Sequence, residues 1–354
     1  MQAIIVAGGP GSRLRPLTDF RPKHVLPVGG VPFLAHQLAR LAAAGVEQVA
    51  LAVSYRAGDI VDVLGDGNDY GVRLSYVVEA TPRGTAGAIR AAGDALDGAG
   101  ADPVAVLNGD VLSDHDIAAQ VAQFEAAGAD VSLHVVGIAD ARAYGSVPTD
   151  GSGRVVAFRE KSARPVSSQI NAGCYVFRRS VIAQILANCV VSVERETFPG
   201  LLAAGRLLVG HRCDSYWQDV GTPAALVQAS SDLVRGVVGS PASVGPPRQR
   251  WVHPDAAVHP SVTVVGGSAV GPGAAIGAGA VVDASVVMAG AVVGSGSIVR
   301  RCALGPGSRV GADVVADEVV LGDRAQLSSG CRPARGAAVD CDARLPLAAE
   351  TSGA

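Results

Sequence analysis

Lysine is almost absent from this chain. Among 29 basic residues in 354, only Lys23 and Lys161 are lysines, so arginine supplies nearly all of the positive charge. The formal net charge is −3, and without a basic excess the chain has no electrostatic footprint for nucleic acid or an anionic membrane. It also lacks an apolar run of the about 20 residues that a membrane span needs, and a basic signal-peptide segment. We therefore expect a cytoplasmic protein without nucleic-acid or membrane partners.

Cysteine is scarce and the aromatic residues stop early. The six cysteines form no C-x-x-C pair, which leaves little support for a structural metal site or a disulfide framework. Aromatic residues make up 4% of the chain, and none follows Trp251. Because aromatics normally supply much of the buried area of a core, two parts of the chain must bury their surface in different ways. Residues 236–252, rich in Gly, Pro and Ser, are predicted to be the linker between them.

The first part, residues 1–235, alternates short β-branched apolar runs with helical patterns. The runs "QAIIVA", "QVALAV" and "PVAVLN" have the length of buried strands, and segments such as "VPFLAHQLARLAAAG" repeat apolar residues at helical spacing. This alternation predicts an α/β domain with a Rossmann-like, mostly parallel sheet that is covered on both faces. Ligands of such sheets bind at the carboxyl ends of the strands.

The second part carries a six-residue repeat, as in "AVGPGA" and "AIGAGA", in which an aliphatic residue is followed by glycine or another small residue. Glycine returns at a fixed phase, for example at Gly271 and Gly305. The repeat predicts a left-handed parallel β-helix over residues 253–323, a narrow prism without room for aromatics. Residues 324–354 lose the repeat and are predicted to be an irregular tail. We expect the β-helix to form homo-oligomers.

A glycine-rich stretch, "AGGPGSRLRPLTDFRPKHVLP" at residues 7–27, directly follows the first apolar run. Glycines let backbone N–H groups approach an anion such as a phosphate. The stretch is not a Walker A loop, because no G-K-[ST] follows. It is not the dinucleotide fingerprint either, because Leu14 stands where the third glycine would be. Taken alone, a tight turn explains the glycines equally well.

The longer pattern, "GGPGSRLRPLT…RPKHVLPVGG", resembles the signature of the sugar nucleotidyltransferases. The resemblance covers residues 1–235 and extends to the β-helix found in many members, with Ser12 where Thr is usual and His24 where Pro is usual. It implies transfer of a nucleotidyl group from an NTP to a sugar 1-phosphate, with release of pyrophosphate. The two phosphate-handling lysines of the family fall on Lys23 and Lys161, the two lysines of the chain. A compact ammonium and a planar guanidinium are not interchangeable.

The resemblance also assigns the other site residues. The catalytic cations would be Arg13 and Lys23. The nucleotide would be bound by Ala7, Gly8, Gly9, Gly11, Ser12, Glu79, Gly84 and Thr85, and the sugar phosphate by Asn108, Gly145, Glu160, Lys161 and Asn171. Asp110 and Asp219 would hold Mg²⁺, which prefers one or two carboxylates together with substrate phosphates. On sequence alone, both aspartates could instead be turn or cap residues, Thr85 a helix cap and Glu160 a surface acid.

The substrates are less closely defined. The segment "EATPRGTAGAI" resembles the purine-reading segment of guanylyl-transferring members, which favours GTP first and ATP second. The resemblance favours mannose 1-phosphate, although a glucose, heptose or cyclitol phosphate would fit the same motifs.

Two other functions stay open. A non-catalytic regulatory homologue would be expected to lack Arg13, Lys23 or one of the aspartates. A second, acyl-transferring activity of the β-helix would have to use His253 or His259, which we expect at the entrance of a short helix with a capping or solvent-exposed role.

Overall fold

The computed structural model describes residues 1–96, 102–243 and 245–346. Its packing divides the chain into two compact units. The first unit contains Met1–Gly9 and Gln37–Trp217, and the second contains Pro10–His36 and the chain from Gln218 onwards. The units therefore do not follow chain order, because the segment that carries Arg13 and Lys23 packs with the C-terminal part.

The α-helices of the described residues are α1 (Phe33–Ala43), α2 (Ala57–Leu64), α3 (Gly84–Ala95), α4 (Ile117–Ala127), α5 (Arg179–Gln184), α6 (Phe198–Ala203) and α7 (Pro223–Arg235). Single turns of 3₁₀ helix occur at Ser12–Leu14, Lys23–Val25 and Asn68–Tyr70, and a π-helical turn occurs at Val193–Thr197. Within the described ranges, no helix is long and apolar enough to cross a membrane.

The strands before α7 are β1 (Gln2–Ala7), β2 (Pro27–Val28), β3 (Val31–Pro32), β4 (Gln48–Val53), β5 (Arg73–Val78), β6 (Val104–Asn108), β7 (Val111–Ser113), β8 (Val131–Gly137), β9 (Gln169–Phe177), β10 (Leu208–Arg212) and β11 (Trp217–Asp219). Seven of them form the sheet of the first unit, in the order β10-β8-β9-β6-β1-β4-β5. Only β9 runs antiparallel to its neighbours in this sheet. The predicted Rossmann-like, mostly parallel sheet is thus confirmed.

Three histidines pack together near the β8–β10 edge of this sheet. The ring of His134 on β8 stacks on that of His115 with centroids 3.8 Å apart, and His134 pairs in register with His211 of β10. His134 is fully buried, and neither of its ring nitrogens has a hydrogen-bond partner. Burial lowers the pKa of His134 to about 2 and that of His115 to about 3, and it also lowers the pKa of His211. All three imidazoles are therefore neutral in the folded protein at pH 7.

The strands after α7 are β12 (Arg250–Val252), β13 (Ala257–Val258), β14 (Thr263–Val265), β15 (Ser268–Val270), β16 (Ala275–Ile276), β17 (Val281–Asp283), β18 (Val286–Val287), β19 (Val292–Val293), β20 (Ile298–Arg300), β21 (Ala303–Leu304), β22 (Arg309–Val310), β23 (Val315–Asp317), β24 (Val320–Leu321), β25 (Gln326–Leu327), β26 (Ala338–Val339) and β27 (Arg344–Leu345). They form three parallel sheets, because each strand pairs with the strand three places later in the chain, on the next coil. Near the C-terminal end the step is two places, as β24 pairs with β26 and β25 with β27. This is a parallel β-helix, consistent with the predicted left-handed type, and its interior is a column of small and aliphatic residues.

Both predicted ends of the β-helix need correction. Strand β12 lies inside the predicted linker, where Trp251 is buried and packs against Gly30. Coils continue through β27 to Leu345, so residues 324–346 are not an irregular tail. The glycine phase disappears there, but Cys331 and Val339 still fill the interior. Inward apolar residues, and not glycines, are what a coil needs in order to stack.

The expected short helix at His253 and His259 is also absent, because both residues lie in turns between β-helix strands. The Nδ1 atom of His253 accepts a hydrogen bond from the Asp255 N–H at 3.1 Å. The corresponding atom of His259 accepts from the Ser261 N–H at 3.2 Å. Each imidazole thus closes its own turn, a structural role that needs no substrate.

The histidine cluster predicts a specific acid sensitivity. In the folded protein His115 and His134 have pKa values of about 3 and 2, well below the 6.5 of an unfolded chain. Below pH 6.5 the unfolded state therefore binds more protons, and stability is lost as the pH falls. The slope is at most about 1.4 kcal/mol per pH unit for each fully buried histidine. We expect the thermal unfolding midpoint to fall continuously between pH 7 and pH 5.

His134→Leu should flatten this pH dependence, because it removes one buried imidazole. His259→Gln, at an exposed position, is the matched control and should leave the dependence unchanged. Equal slopes for the wild type and His134→Leu would show that the cluster does not control acid stability.

Candidate active site

The carboxyl edge of the central sheet brings together one group of the residues selected from the sequence. Parallel β1 and β6 place Val6 opposite Asn108, and the Gly109 N–H donates to the Val6 carbonyl at 2.9 Å. After β1, the carbonyl of Gly8 accepts from the Ser54 hydroxyl at 2.6 Å. A side chain on Gly8 would begin 3.1 Å from that hydroxyl, so the loop passes closely over the end of β4. The predicted residues at this edge are Ala7, Gly8, Gly9, Asn108 and Asp110.

Glu79 lies at the same edge, directly after β5. Its N–H donates to the Val53 carbonyl at 2.8 Å, and its side chain is buried, with Oε1 lacking a hydrogen-bond partner. A Cβ atom on Gly8 would lie 3.8 Å from its Oε2. Burial raises the pKa of the Glu79 carboxyl, and Arg83 partly opposes this shift. An acceptor group is therefore held beside the glycine loop with part of its capacity unused.

The start of α3 is fixed by the segment before the π-helical turn. The Val191 carbonyl accepts from the Ala86 N–H at 3.0 Å, and a side chain on Gly84 would collide with this carbonyl. The Thr85 hydroxyl donates to Glu194 Oε2 at 2.7 Å and accepts from the Val193 N–H at 2.8 Å. Thr85 is therefore not a helix cap, and its side chain is occupied within the protein. The single hydrogen of the Thr85 hydroxyl and one of its two lone pairs are thereby used within the protein.

A second group connects Gly145 with Glu160 and Asn171. The Asn171 N–H donates to the Gly145 carbonyl at 2.8 Å. A Cβ atom on Gly145 would lie 2.8 Å from Glu160 Oε2 and 2.9 Å from the Phe158 ring. Glycine at position 145 is therefore what allows the Glu160 carboxylate to lie against the backbone.

The Asn171 side chain is held by hydrogen bonds within its own strand, β9, and the same strand passes beside Asn108. Its Nδ2 donates to the Tyr175 hydroxyl at 2.7 Å, and its Oδ1 accepts from the Gly173 N–H at 3.1 Å. Gly173 has φ of +75°, and a side chain there would begin 2.9 Å from Asn108 Nδ2. The two predicted asparagines are therefore linked through one glycine, at the end of β6.

Lys161 is paired loosely. Its Nζ lies 3.8 Å from Glu160 Oε1, and its side chain is 63% exposed while that of Glu160 is 16% exposed. Burial, and then Glu194, raises the pKa of Glu160, while Lys161 and Arg195 lower it. Glu160 is therefore not a surface acid, and the Lys161 ammonium keeps room for an anion.

The other predicted residues belong to the second unit. Gly11 precedes the 3₁₀ turn that carries Ser12 and Arg13, and its carbonyl accepts from the Thr18 hydroxyl at 2.9 Å. A Cβ atom on Gly11 would lie 3.0 Å from the Cβ atom of Lys23. Close packing inside this loop therefore brings Lys23 next to Gly11.

Asp219 lies beside Arg13 and is not a helix cap. Arg13 Nη2 and Asp219 Oδ2 are 3.6 Å apart, and a side chain on Gly221 would overlap both groups. Thr222 caps α7 by accepting from the Ala225 N–H. In the first unit Asp116 likewise caps α4, and Asp110 lies in the turn between β6 and β7. Neither of the two predicted metal ligands, Asp110 and Asp219, is therefore a helix cap.

Sequence reasoning missed three residues that support this geometry. Ser54 holds the Gly8 carbonyl, Tyr175 holds Asn171, and Gly221 leaves space for Arg13. Of the three, Gly221 had a local signal, since it follows Asp219 in "DVGTP". Ser54 acts across two strands, and Tyr175 acts within β9 at a spacing that no familiar motif marks, so neither had a recognisable local signal.

The donor chemistry fits Mg²⁺ better than a soft metal. Within the described ranges no group of three or more His, Cys, Asp or Glu residues could hold a metal ion alone. The predicted ligands Asp110 and Asp219 offer hard carboxylate oxygens. Mg²⁺ is commonly bound in this way, with substrate phosphates and water completing its octahedron.

Comparison with known families finds two matches that together cover most of the chain. Residues 2–236 match the family described as "Nucleotidyl transferase". Residues 248–336 match the family described as "GMPPB C-terminal domain".

Several curated proteins and solved structures are similar. The mannose-1-phosphate guanylyltransferase of Mycobacterium tuberculosis is 48% identical over 259 residues, 73% of this chain and 71% of that protein. The mannose-1-phosphate guanyltransferase of Yarrowia lipolytica is 37% identical, over 63% of this chain and 61% of that protein. A solved structure of HddC from Yersinia pseudotuberculosis, complexed with GMP-PN, is 26% identical with a TM-score of 0.56, over 65% of this chain and 98% of that one. A solved putative glucose-1-phosphate thymidylyltransferase from Bacillus anthracis has a TM-score of 0.59 at 26% identity, over 65% of this chain and 94% of that one.

The contact between Gly145 and Glu160 predicts the result of a single methyl addition. Gly145→Ala should destabilise the protein by about 1–3 kcal/mol, because the new Cβ must displace the Glu160 carboxylate or the Phe158 ring. Gly137→Ala, where nothing lies within 4 Å of the new atom, is the control and should have little effect. Thermal unfolding measures both, and a wild-type midpoint for Gly145→Ala would contradict the described packing.

Proposed function

The chain belongs to the nucleotidyl transferase family, and we propose that it transfers GMP from GTP to mannose 1-phosphate, giving GDP-mannose and pyrophosphate. The observation that carries this proposal is the 48% identity, over 73% of the chain, to a protein named mannose-1-phosphate guanylyltransferase. The residue types of the glycine loop, the cations and the aspartates support the same reaction.

Glu79 supports guanine as the base. Guanine presents two adjacent donors on its pairing edge, N1–H and the N2 amino group, whereas adenine presents an acceptor at N1. An ionised carboxylate only accepts hydrogen bonds, and the buried Glu79 Oε1 has no protein partner. The backbone at Gly84 and Thr85 would complete the base site, since the Thr85 hydroxyl already donates to Glu194 and accepts from the Val193 N–H.

In the proposed reaction an oxygen of the sugar phosphate attacks the α-phosphorus of the nucleotide. A new P–O bond forms as the bond to the departing pyrophosphate breaks, in line with the attack. Because the nucleophile is already anionic, no general base is required, and catalysis comes from positioning and neutralisation of charge. Lys161 would hold the sugar phosphate, and Arg13 and Lys23 would offset the charge on the triphosphate.

The remaining predicted residues orient the two substrates. Backbone N–H groups of Gly8, Gly9, Gly11 and Ser12, with Ala7 before them, would line the triphosphate path. The sugar would lie against Asn108, Gly145, Glu160 and Asn171. Asp110 and Asp219 would hold Mg²⁺, which when bound neutralises phosphate charge.

A regulatory homologue without activity receives less support, because Arg13, Lys23 and both aspartates are present. Transfer of an acyl group by the β-helix receives no support, since the imidazoles of His253 and His259 each accept a hydrogen bond within their own turn. Assembly of copies through the β-helix stays a prediction, which light scattering of the purified protein would test.

Pyrophosphate release across a matrix of nucleotides and sugar 1-phosphates tests the proposal. We expect release with GTP and mannose 1-phosphate in the presence of Mg²⁺. Lys161→Ala should lower kcat/KM for the sugar phosphate by about 10- to 200-fold, the range for loss of one charge-assisted hydrogen bond.

Arg154→Ala is the matched control, because it removes an exposed positive charge just after the turn at residues 151–152 and should leave kcat/KM unchanged. Release only with ATP, or only with a glucose, heptose or cyclitol phosphate, would keep the reaction type and overturn the substrates. Nucleotide binding without release under any condition would favour the regulatory homologue.

Glu79→Gln tests the base assignment separately. The amide keeps the shape of the carboxylate but places a donor against the donors of guanine. We therefore expect kcat/KM for GTP to fall about 10- to 100-fold, while that for ATP stays low or rises. An unchanged ratio of GTP to ATP activity would remove Glu79 from base recognition.

A further inference from the structure

The loop of residues 10–26, here called the signature loop, is tied to the C-terminal coils of the β-helix within the second unit. Arg21 and Asp323, 302 positions apart, form a two-pronged ion pair with distances of 2.8 Å (Nη1 to Oδ1) and 2.5 Å (Nη2 to Oδ2). The Asp323 side chain is 5% exposed and that of Arg21 is 21% exposed. This is the geometry in which an arginine–carboxylate pair is strongest and most specific.

Two further contacts join the same partners. The guanidinium of Arg324 lies over the Phe20 ring, 5.3 Å from its centroid, and is itself paired with Asp342. The Cys341 thiol donates to the Pro16 carbonyl at 3.4 Å. Three points along the signature loop are therefore held by two successive coils, those that carry residues 323–324 and 341–342.

The position of these contacts along the loop gives them their importance. Pro16, Phe20 and Arg21 lie between Arg13 and Lys23, the two cations assigned to the nucleotide phosphates. Arg21 Nη1 also lies 3.4 Å from the Leu17 carbonyl, so the ion pair continues into the loop backbone. Loss of one partner would leave the other charge buried and unpaired, which costs more than loss of an exposed pair.

We infer that Asp323 is a positioning residue, which acts through Arg21 to hold the signature loop in the geometry that places Arg13 and Lys23 on the nucleotide phosphates. The inference rests on the proposed nucleotidyl transfer. It gives the C-terminal coils a role besides assembly, because they support the loop from which the catalytic cations project. Displacement of a reacting group by about 1 Å, caused far from the chemistry, can cost as much as 100-fold in rate.

Hydrogen exchange and steady-state kinetics of Asp323→Asn test this role together. Asparagine keeps the size of the side chain but removes the charge that holds Arg21. We expect faster amide exchange in residues 10–26 and a fall in kcat of about tenfold. KM for mannose 1-phosphate should stay within about twofold, since the predicted sugar site is built from residues of the first unit.

Asp317→Asn is the matched control. Asp317 pairs with Arg301 in the neighbouring coil, but this pair is exposed and does not touch the signature loop. The control should change neither the exchange nor kcat. Arg21→Lys offers a second test, because lysine keeps the charge without the two-pronged geometry, and it should also lower kcat. The reversed pair, Arg21→Glu with Asp323→Arg, should recover part of the kcat that each single change loses.

Three outcomes would overturn the inference. Unchanged exchange in residues 10–26 would show that Asp323 does not hold the loop. Faster exchange with wild-type kcat would show that the contact is structural only, as would a fall in kcat that matches a fall in the folded fraction. A wild-type protein without transfer activity would overturn the proposed function, and the exchange data would then still report on the support of the loop.

Discussion

The parallel pairing of β1 with β6 is the constraint on which the first unit's site depends. Val6 lies opposite Asn108, and the bond from Gly109 to the Val6 carbonyl continues the pairing past the end of the strand. The glycine loop after one strand and the carboxylate after the other therefore begin at the same level. A register slip by one residue would turn the Asn108 side chain to the opposite face of the sheet.

In the second unit, the regular stacking of coils determines the level along the β-helix at which Asp323 meets the signature loop. Ser268 accepts from the Ser285 N–H at 3.1 Å, Ser285 from the Cys302 N–H at 3.0 Å, and Cys302 from the Val319 N–H at 3.3 Å. One side-chain oxygen or sulfur thus satisfies a buried backbone donor of each following coil. Asp323 lies four residues after Val319, so the ladder sets the level of its carboxylate on the column.

Sequence periodicity was informative wherever the interacting residues recur at a fixed step. The alternation of strands and helices predicted the sheet, and the hexapeptide phase predicted the prism. The end of the prism was misplaced, because the prediction followed glycine while the coils follow inward residues such as Cys331. Two contacts gave no recognisable signal: the bond from Asn171 to Tyr175 depends on the irregular register of β9, and Arg21 and Asp323 are 302 positions apart. The individual roles of the predicted site residues stay predictions, because a motif identifies residue types while a bound substrate would assign them.

The scarcity of lysine acquires a physical explanation from the arginine contacts. Arginines of this chain repeatedly form two-pronged pairs with carboxylates, as Arg21 does with Asp323 and Arg335 with Glu318. A planar guanidinium suits such permanent pairs, because its donors match both oxygens of one acid. Lys161 instead has one carboxylate contact at 3.8 Å and a largely exposed ammonium. In the proposed reaction Lys161 would hold a phosphate in one step and release it in the next, and the loose contact suits that role, since no fixed pair has to be broken before the substrate binds.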